Sequence, residues 1–169
     1  GTFEKEETRQ SLKLMKEKTG ANYVIFAPNG VQKTAFSETI DYRTKRNVSD
    51  EELTAMIAYA KQLGLKVALK PTANCEDGTW RAHINFFDED VVCEPKWSNW
   101  FASYRAFQEH YAGLAQQCGV DLFIAGCEMV QTERREAEWR EVIAAIRRKY
   151  DGLVSYNTDK YQEHNVKWW

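Results

Sequence analysis

The chain has 169 residues and a formal net charge of −2, with 43% hydrophobic and 28% charged residues. That is enough for one domain around one sizeable core. The near-neutral balance gives no bulk attraction for polyanions, which argues against nucleic acid or an anionic membrane as the main partner, and no apolar run reaches the roughly 20 residues that span a bilayer. In chain order, one unit then recurs four times: an amphipathic helix closing at a glycine, followed at once by a short apolar strand. The first is a helix over residues 6–18, Gly20, and a strand over 22–28. The second is a helix over 50–63, Gly64, and a strand over 66–70. The third is a helix over 97–117, Gly119, and a strand over 121–125. The fourth is a helix over 133–150, Gly152, and a strand over 153–156.

Each element has a physical cause. Leu53, Met56, Ile57, Ala60 and Leu63 fall on one helical stripe, and Ser49 with Glu52 makes a capping box ahead of it. Trp100, Tyr104, Phe107, Tyr111 and Leu114 give the third helix an aromatic stripe, and Trp139, Val142, Ile143, Ile146 and Tyr150 do the same for the fourth. The glycines suit the left-handed position that ends a helix. The strands are continuous apolar runs, as expected when helices cover a parallel sheet. The fold class is therefore α/β with right-handed crossovers, either a (β/α) barrel segment or an open doubly wound sheet. No glycine-rich phosphate loop follows any strand, which counts against a nucleotide-binding or phosphate-transfer protein.

The loops over residues 29–47 and 71–96 are long and follow strand ends, where α/β folds build their sites. Asn29 and Gln32 open the first loop and offer amides for hydroxyl recognition. Lys70 and Asn74 open the second, which also carries Trp80 and Arg81. Trp80 is either a sugar-stacking platform or a plug under its own loop. Arg81 either donates to a sugar or a catalytic carboxylate, or pairs structurally with Asp88, Glu89 or Asp90. Glu128 follows the apolar run 122–127. A carboxyl group there sits at the barrel mouth, where partial desolvation favours the protonated form that a general acid needs. The bland alternative is a helix-capping or ion-paired glutamate. Asn157 and Tyr161 close the last strand.

Other chemistries find less support. The four cysteines form no C-x-x-C pair and no histidine stands at zinc spacing, so neither a metal nor another cofactor is expected. Cys118 and Cys127 read as small buried thiols, and Cys75 and Cys93 flank one loop, leaving a bridge between them open. His83, His110 and His164 are too scattered for a Ser/His/Asp triad, and His110 belongs on a helix surface or between helices. Arg134, Arg135, Arg147 and Arg148 read as solvated helix charge.

Several stretches resemble glycoside hydrolase family 113. They are Thr19-Gly-Ala-Asn-Tyr-Val24, Ser49-Asp-Glu-Glu-Leu53, Leu63-Gly-Leu-Lys-Val-Ala-Leu-Lys-Pro71, Trp80-Arg81, Ile84, Trp97, Trp100-Phe101, Ser103-Tyr104 and His110-Tyr111-Ala112. They continue as Gly119-Val-Asp-Leu-Phe123, Gly126-Cys-Glu128, Arg135-Glu-Ala-Glu-Trp-Arg140 and Val142-Ile-Ala-Ala145. The resemblance implies a retaining β-mannanase on a (β/α)8 barrel. Glu128 would be the general acid/base on barrel strand four, and Asn29, Lys70, Asn74, Trp80, Arg81 and Asn157 would face substrate. The partner would be a β-linked manno-oligosaccharide or polysaccharide, with no nucleic acid, membrane or cofactor. The four strands would be barrel strands two to five. The nucleophile glutamate of strand seven has no counterpart here, and neither Asp159 nor Glu163 takes that role. Thr72 stands where the family usually has histidine, which bears on substrate range. Residues 1–169 therefore read as one partial barrel domain lacking its first and last strands. The terminal Trp168 and Trp169, expected to be exposed, point the same way. A non-catalytic carbohydrate-binding or scaffold half-barrel is the alternative, associating through open sheet edges. No signal peptide is visible, and the compartment stays open.

Overall fold

The computed structural model describes residues 3–45 and 47–168. Helices α1 (Glu6–Thr19), α2 (Asp50–Gln62), α3 (Trp97–Gln117) and α4 (Glu136–Arg147) alternate with strands β1 (Tyr23–Phe26), β2 (Asn29–Gln32), β3 (Lys66–Leu69), β4 (Thr72–Cys75), β5 (Leu122–Cys127) and β6 (Leu153–Asn157). The main sheet runs β1-β3-β5-β6 with every pair parallel, so successive helix–strand units lie side by side. Central strands β3 and β5 are almost wholly buried, whereas the edge strands expose Ile25 on β1 and Leu153 on β6.

β2 and β4 lie inside the two long segments expected to be loops. They are the continuation of β1 and β3 past Pro28 and Pro71. Tyr23 faces Lys66 and Phe26 faces Leu69; beyond the prolines Asn29 faces Thr72 and Gln32 faces Cys75, with the same offset. Lys70 N–H to Phe26 O (2.8 Å) and Thr72 N–H to Pro28 O (2.9 Å) carry the ladder across the gap. Proline lacks the donor that a regular rung needs, and this hid the extension in the sequence.

The core is aromatic. Trp100 stacks on Tyr104 with ring centroids 4.8 Å apart, and Trp139, Tyr104 and Phe101 meet edge to face. Trp168 is not exposed: it is 3% accessible and stacks on Trp139 at 4.7 Å, with its indole N–H bonded to Glu133 O. Trp169 lies outside the described residues. Ser49 and Glu52 form the expected capping box. α4 begins at Glu136, later than residue 133, because residues 130–132 form a 3-10 turn and bury Thr132 and Glu133.

Gly20, Gly64 and Gly119 end their helices in the left-handed region, as read from sequence. Gly152 does not adopt a positive φ. A Cβ there would lie 2.2 Å from the Tyr150 hydroxyl, so space for that side chain selects the glycine. All four cysteines are free, Cys75 buried and Cys93 exposed, which removes the bridge; Cys118 is only half-buried.

Candidate active site

The site forms where the parallel strands end together. β5 ends at Cys127, and Glu128 follows with φ 52°. A non-glycine residue in that region carries about 1–2 kcal/mol of strain. Its N–H donates to Asn157 O at 2.7 Å, tying it to the end of β6. The Glu128 side chain is 32% exposed and meets two donors from the segment after β4. Arg81 Nη1 donates to Oε2 at 2.9 Å, and the Trp80 indole N–H reaches the same oxygen at 3.4 Å. Among the described residues Oε1 has no hydrogen-bond partner.

Arg81 is fixed on all sides. Its Nε donates to Ala73 O at 3.1 Å and its Nη2 to Asn74 Oδ1 at 2.7 Å. Asn74 in turn donates through Nδ2 to Asn29 Oδ1 at 2.8 Å. Arg81 therefore pairs with the Glu128 carboxylate, and two carboxylates of the acidic run it might have paired with are engaged elsewhere. Asp88 pairs with Arg134 and Arg135, and Asp90 pairs with Lys96. Arg134 and Arg135 also lie over the Trp97 ring, so they fasten a loop to α3 and are not merely solvated charge.

Trp80 is 43% exposed, which rules out the buried plug. Ala82, Ile84 and Phe86 sink into the core while His83 and Asn85 between them, and Arg81 before them, do not, and this alternation holds the Trp80–Arg81 corner up at the rim. His83 packs edge-on against Trp80 with centroids 5.7 Å apart. On the other side of Glu128, Lys70 Nζ donates to Asn157 Oδ1 at 3.4 Å, and Cys127 Sγ lies 3.8 Å from Lys70 and 3.6 Å from Asn157. Burial pushes the Cys127 thiol up, against the pull of Lys70 and Arg81, which favours its protonated form.

Thus Asn29, Lys70, Asn74, Trp80, Arg81, Glu128 and Asn157 form two hydrogen-bonded groups that meet at the β5–β6 rim. Two other sequence candidates do not join them. Gln32 is buried, accepting from the Trp100 indole and donating to Thr34 O and Ser37 O, so it braces the loop. Tyr161 is exposed and packs against Lys160. Thr72 is buried and donates its hydroxyl to Lys70 O at 3.0 Å. His110 sits between segments as expected, 2.9 Å from Asp50. The hollows of about 530 Å³ beside Glu133 and about 570 Å³ beside Val31 do not include Glu128, which lies on an open rim.

Sequence reasoning missed Glu133 and Tyr156. The Tyr156 hydroxyl donates to Glu133 Oε1 at 2.6 Å and accepts from Met129 N–H at 3.0 Å. Burial raises the Glu133 carboxyl above the ordinary range, although the Tyr156 hydroxyl opposes this. Its place beside charged Arg134 and Arg135 made it look like helix surface.

A parallel α/β barrel layer with a carboxylate held at the C-terminal rim of a strand defines the class: a TIM-barrel-like fold with its site at the strand ends. The profile of Glycoside Hydrolase Family 113 matches residues 1–169, and the chain belongs to that family. Among solved structures, a GH113 β-1,4-mannanase matches at 56% identity and a TM-score of 0.98, covering 100% of this chain and 55% of that one. The GH113 β-mannanase AaManA from Alicyclobacillus acidocaldarius, in complex with ManMIm, matches at 42% identity and a TM-score of 0.94, covering 100% and 54%. The Pseudomonas stutzeri endoglucanase Cel5A shares only the fold, at 16% identity and a TM-score of 0.55 over 91% of this chain and 44% of that one. The chain thus spans about half the length of the mannanases it matches. No curated protein matches it.

Proposed function

We propose that this chain is the acid/base half of a retaining β-1,4-mannanase-like glycoside hydrolase acting on β-mannan or manno-oligosaccharides, with Glu128 as general acid/base. One observation carries the reading: Glu128 follows the end of β5, a third exposed, with one carboxyl oxygen clamped by Arg81 and Trp80 and the other without a hydrogen-bond partner among the described residues. In the first step Glu128 gives its proton to the glycosidic oxygen as a second carboxylate attacks the anomeric carbon. In the second step ionised Glu128 takes a proton from the water that releases the sugar. Arg81 stabilises the carboxylate left between the two steps. Trp80 offers its exposed face to a pyranose ring, while Asn29, Asn74, Lys70 and Asn157 supply polar groups for hydroxyls.

The two carboxyl groups of a retaining enzyme stand about 5 Å apart. Among the described residues no second carboxylate approaches Glu128 in a hydrogen bond or shared ion pair. We place the nucleophile outside these 169 residues and read residues 1–169 as one partial barrel domain. The isolated chain then leaves mannan intact. The deciding experiment is Glu128→Gln in the full-length protein. It lowers kcat/KM on manno-oligosaccharides by about 10²–10⁴-fold with the unfolding transition unchanged. Retention of near-normal activity overturns the assignment, and a parent enzyme active only on xylan or cellulose overturns the substrate.

One observation favours a second reading, a non-catalytic carbohydrate-binding or scaffold half-barrel. β1 and β6 are sheet edges carrying exposed Ile25 and Leu153, the kind of edge that recruits another chain. Light scattering on the isolated chain separates the two: a stable dimer supports self-association, and a cooperative monomer removes it.

A further inference from the structure

The strain at Glu128 needs a cause. A left-handed non-glycine residue persists only where its surroundings over-determine it. On its amino side the determinant is the bond from Glu128 N–H to Asn157 O. On its carboxyl side the next peptide N–H, that of Met129, donates to the Tyr156 hydroxyl at 3.0 Å. That hydroxyl has one proton, and it goes to Glu133 Oε1 at 2.6 Å. Glu133 is only 1% exposed and is anchored in turn, its backbone oxygen bonded to the Trp168 indole at 3.0 Å. The 3-10 turn joining the two partners is closed by the Thr132 hydroxyl on Met129 O at 2.7 Å.

The register points to the same place. β5 and β6 pair Ile124 with Ser155 and then Cys127 with Asn157, so β5 carries one extra residue just before Glu128. The room for it exists because position 126 is glycine: a Cβ there would stand 2.8 Å from the Tyr156 ring. Tyr156 therefore packs under the bulge with its ring and holds the turn beyond it with its hydroxyl.

Building on the acid/base reading of Glu128, we propose that Tyr156 and Glu133 are positioning residues that lock the backbone on which Glu128 is aimed at the leaving group. Neither touches substrate. The hydroxyl fixes the peptide after Glu128, and the buried carboxyl fixes the hydroxyl. Loosening either lets residue 128 relax out of its strained conformation and withdraws the proton from the glycosidic oxygen.

The test is leaving-group dependence in the full-length protein. Glycosides with a dinitrophenyl leaving group depart without protonation, whereas unsubstituted manno-oligosaccharides do not. Tyr156→Phe lowers kcat/KM for manno-oligosaccharides about tenfold or more and leaves that for the dinitrophenyl mannoside within about twofold of the parent. Glu133→Met, which keeps the tyrosine ring in place, follows the same pattern. Glu133→Gln, whose amide oxygen still accepts from the hydroxyl, restores near-parent values. Equal losses on both substrates, or no loss on either, overturn the proposal. Glu128→Gln is run alongside. If it too lacks leaving-group dependence, the acid/base assignment fails and this inference with it. If Glu128→Gln shows the dependence and Tyr156→Phe does not, the inference alone fails.

Discussion

The two halves of the sheet treat register differently. β1 and β3 hold one offset across two prolines and through β2 and β4, ten residues on each strand from Tyr23 to Gln32 and from Lys66 to Cys75. β5 and β6 slip by a residue within the last three of β5. The regular half supplies the clamp: Asn29, Asn74 and Arg81 in one line of hydrogen bonds. The slipped half supplies the carboxyl group that is clamped, on strained backbone. Regular pairing gives precise placement of fixed donors, and an irregularity re-aims one side chain that the pleat alone would have directed elsewhere.

Arg81→Ala removes the clamp and keeps the slip. It lowers kcat/KM on manno-oligosaccharides by about 10²-fold, the scale expected when a reacting group is misplaced by about 1 Å. An activity near the parent's would show that the slipped half aims Glu128 unaided. Gly126→Ala attacks the slip itself. Its Cβ would lie 2.7 Å from the Tyr104 hydroxyl, 2.8 Å from Tyr156 and 3.1 Å from Trp139. Overpacking of this kind costs about 1–3 kcal/mol, readable by denaturant unfolding, and an unchanged midpoint would mean that the bulge can absorb a methyl group. Trp80→Ala leaves both halves standing and takes away an exposed ring. KM for manno-oligosaccharides rises about fivefold, in line with an aromatic contact worth about 1 kcal/mol; a fall in kcat alone would move Trp80 from binding to aiming.

The smallest effect is on stability against pH. The folded Glu133 carboxyl holds its proton above the ordinary value of 4.5, raised first by burial and further by Asp159, while Tyr156, His164 and Thr158 oppose it. The folded protein thus binds a proton that the unfolded chain has released. The stabilisation is complete below 4.5 and is lost as pH climbs through the raised value. Glu133→Gln flattens that part of the curve of unfolding midpoint against pH. Parallel curves for the two proteins would contradict it.

Much of this was legible beforehand because it follows from local pattern. The stripe Leu53, Met56, Ile57 and Ala60 is buried as its spacing required, and the continuous apolar strands are parallel. Glu128 and Asn74 lie just past the strand ends read from sequence, whereas Arg81 is marked by the Trp80-Arg81 pair that carries the family resemblance. The omissions share a different cause. β2 and β4 are polar and follow prolines, so neither composition nor periodicity marks them. Gln32 carries an amide suited to sugar, yet only the fold reveals that Trp100 and two backbone carbonyls use it up. The Tyr156–Glu133 bond joins residues 23 apart on different elements, and no local signal encodes such a meeting.

The hydroxyl of Thr72 has a consequence for engineering. In a parallel ladder the carbonyl of Lys70 would be fed by the backbone at position 28, which is proline and has nothing to give; the threonine side chain fills that vacancy at 3.0 Å. Histidine at this position would therefore starve a main-chain acceptor, a defect of about 1–3 kcal/mol where the group is buried. Serine at the same place keeps the acceptor fed, so serine, not histidine, is the clean starting point for changing this position.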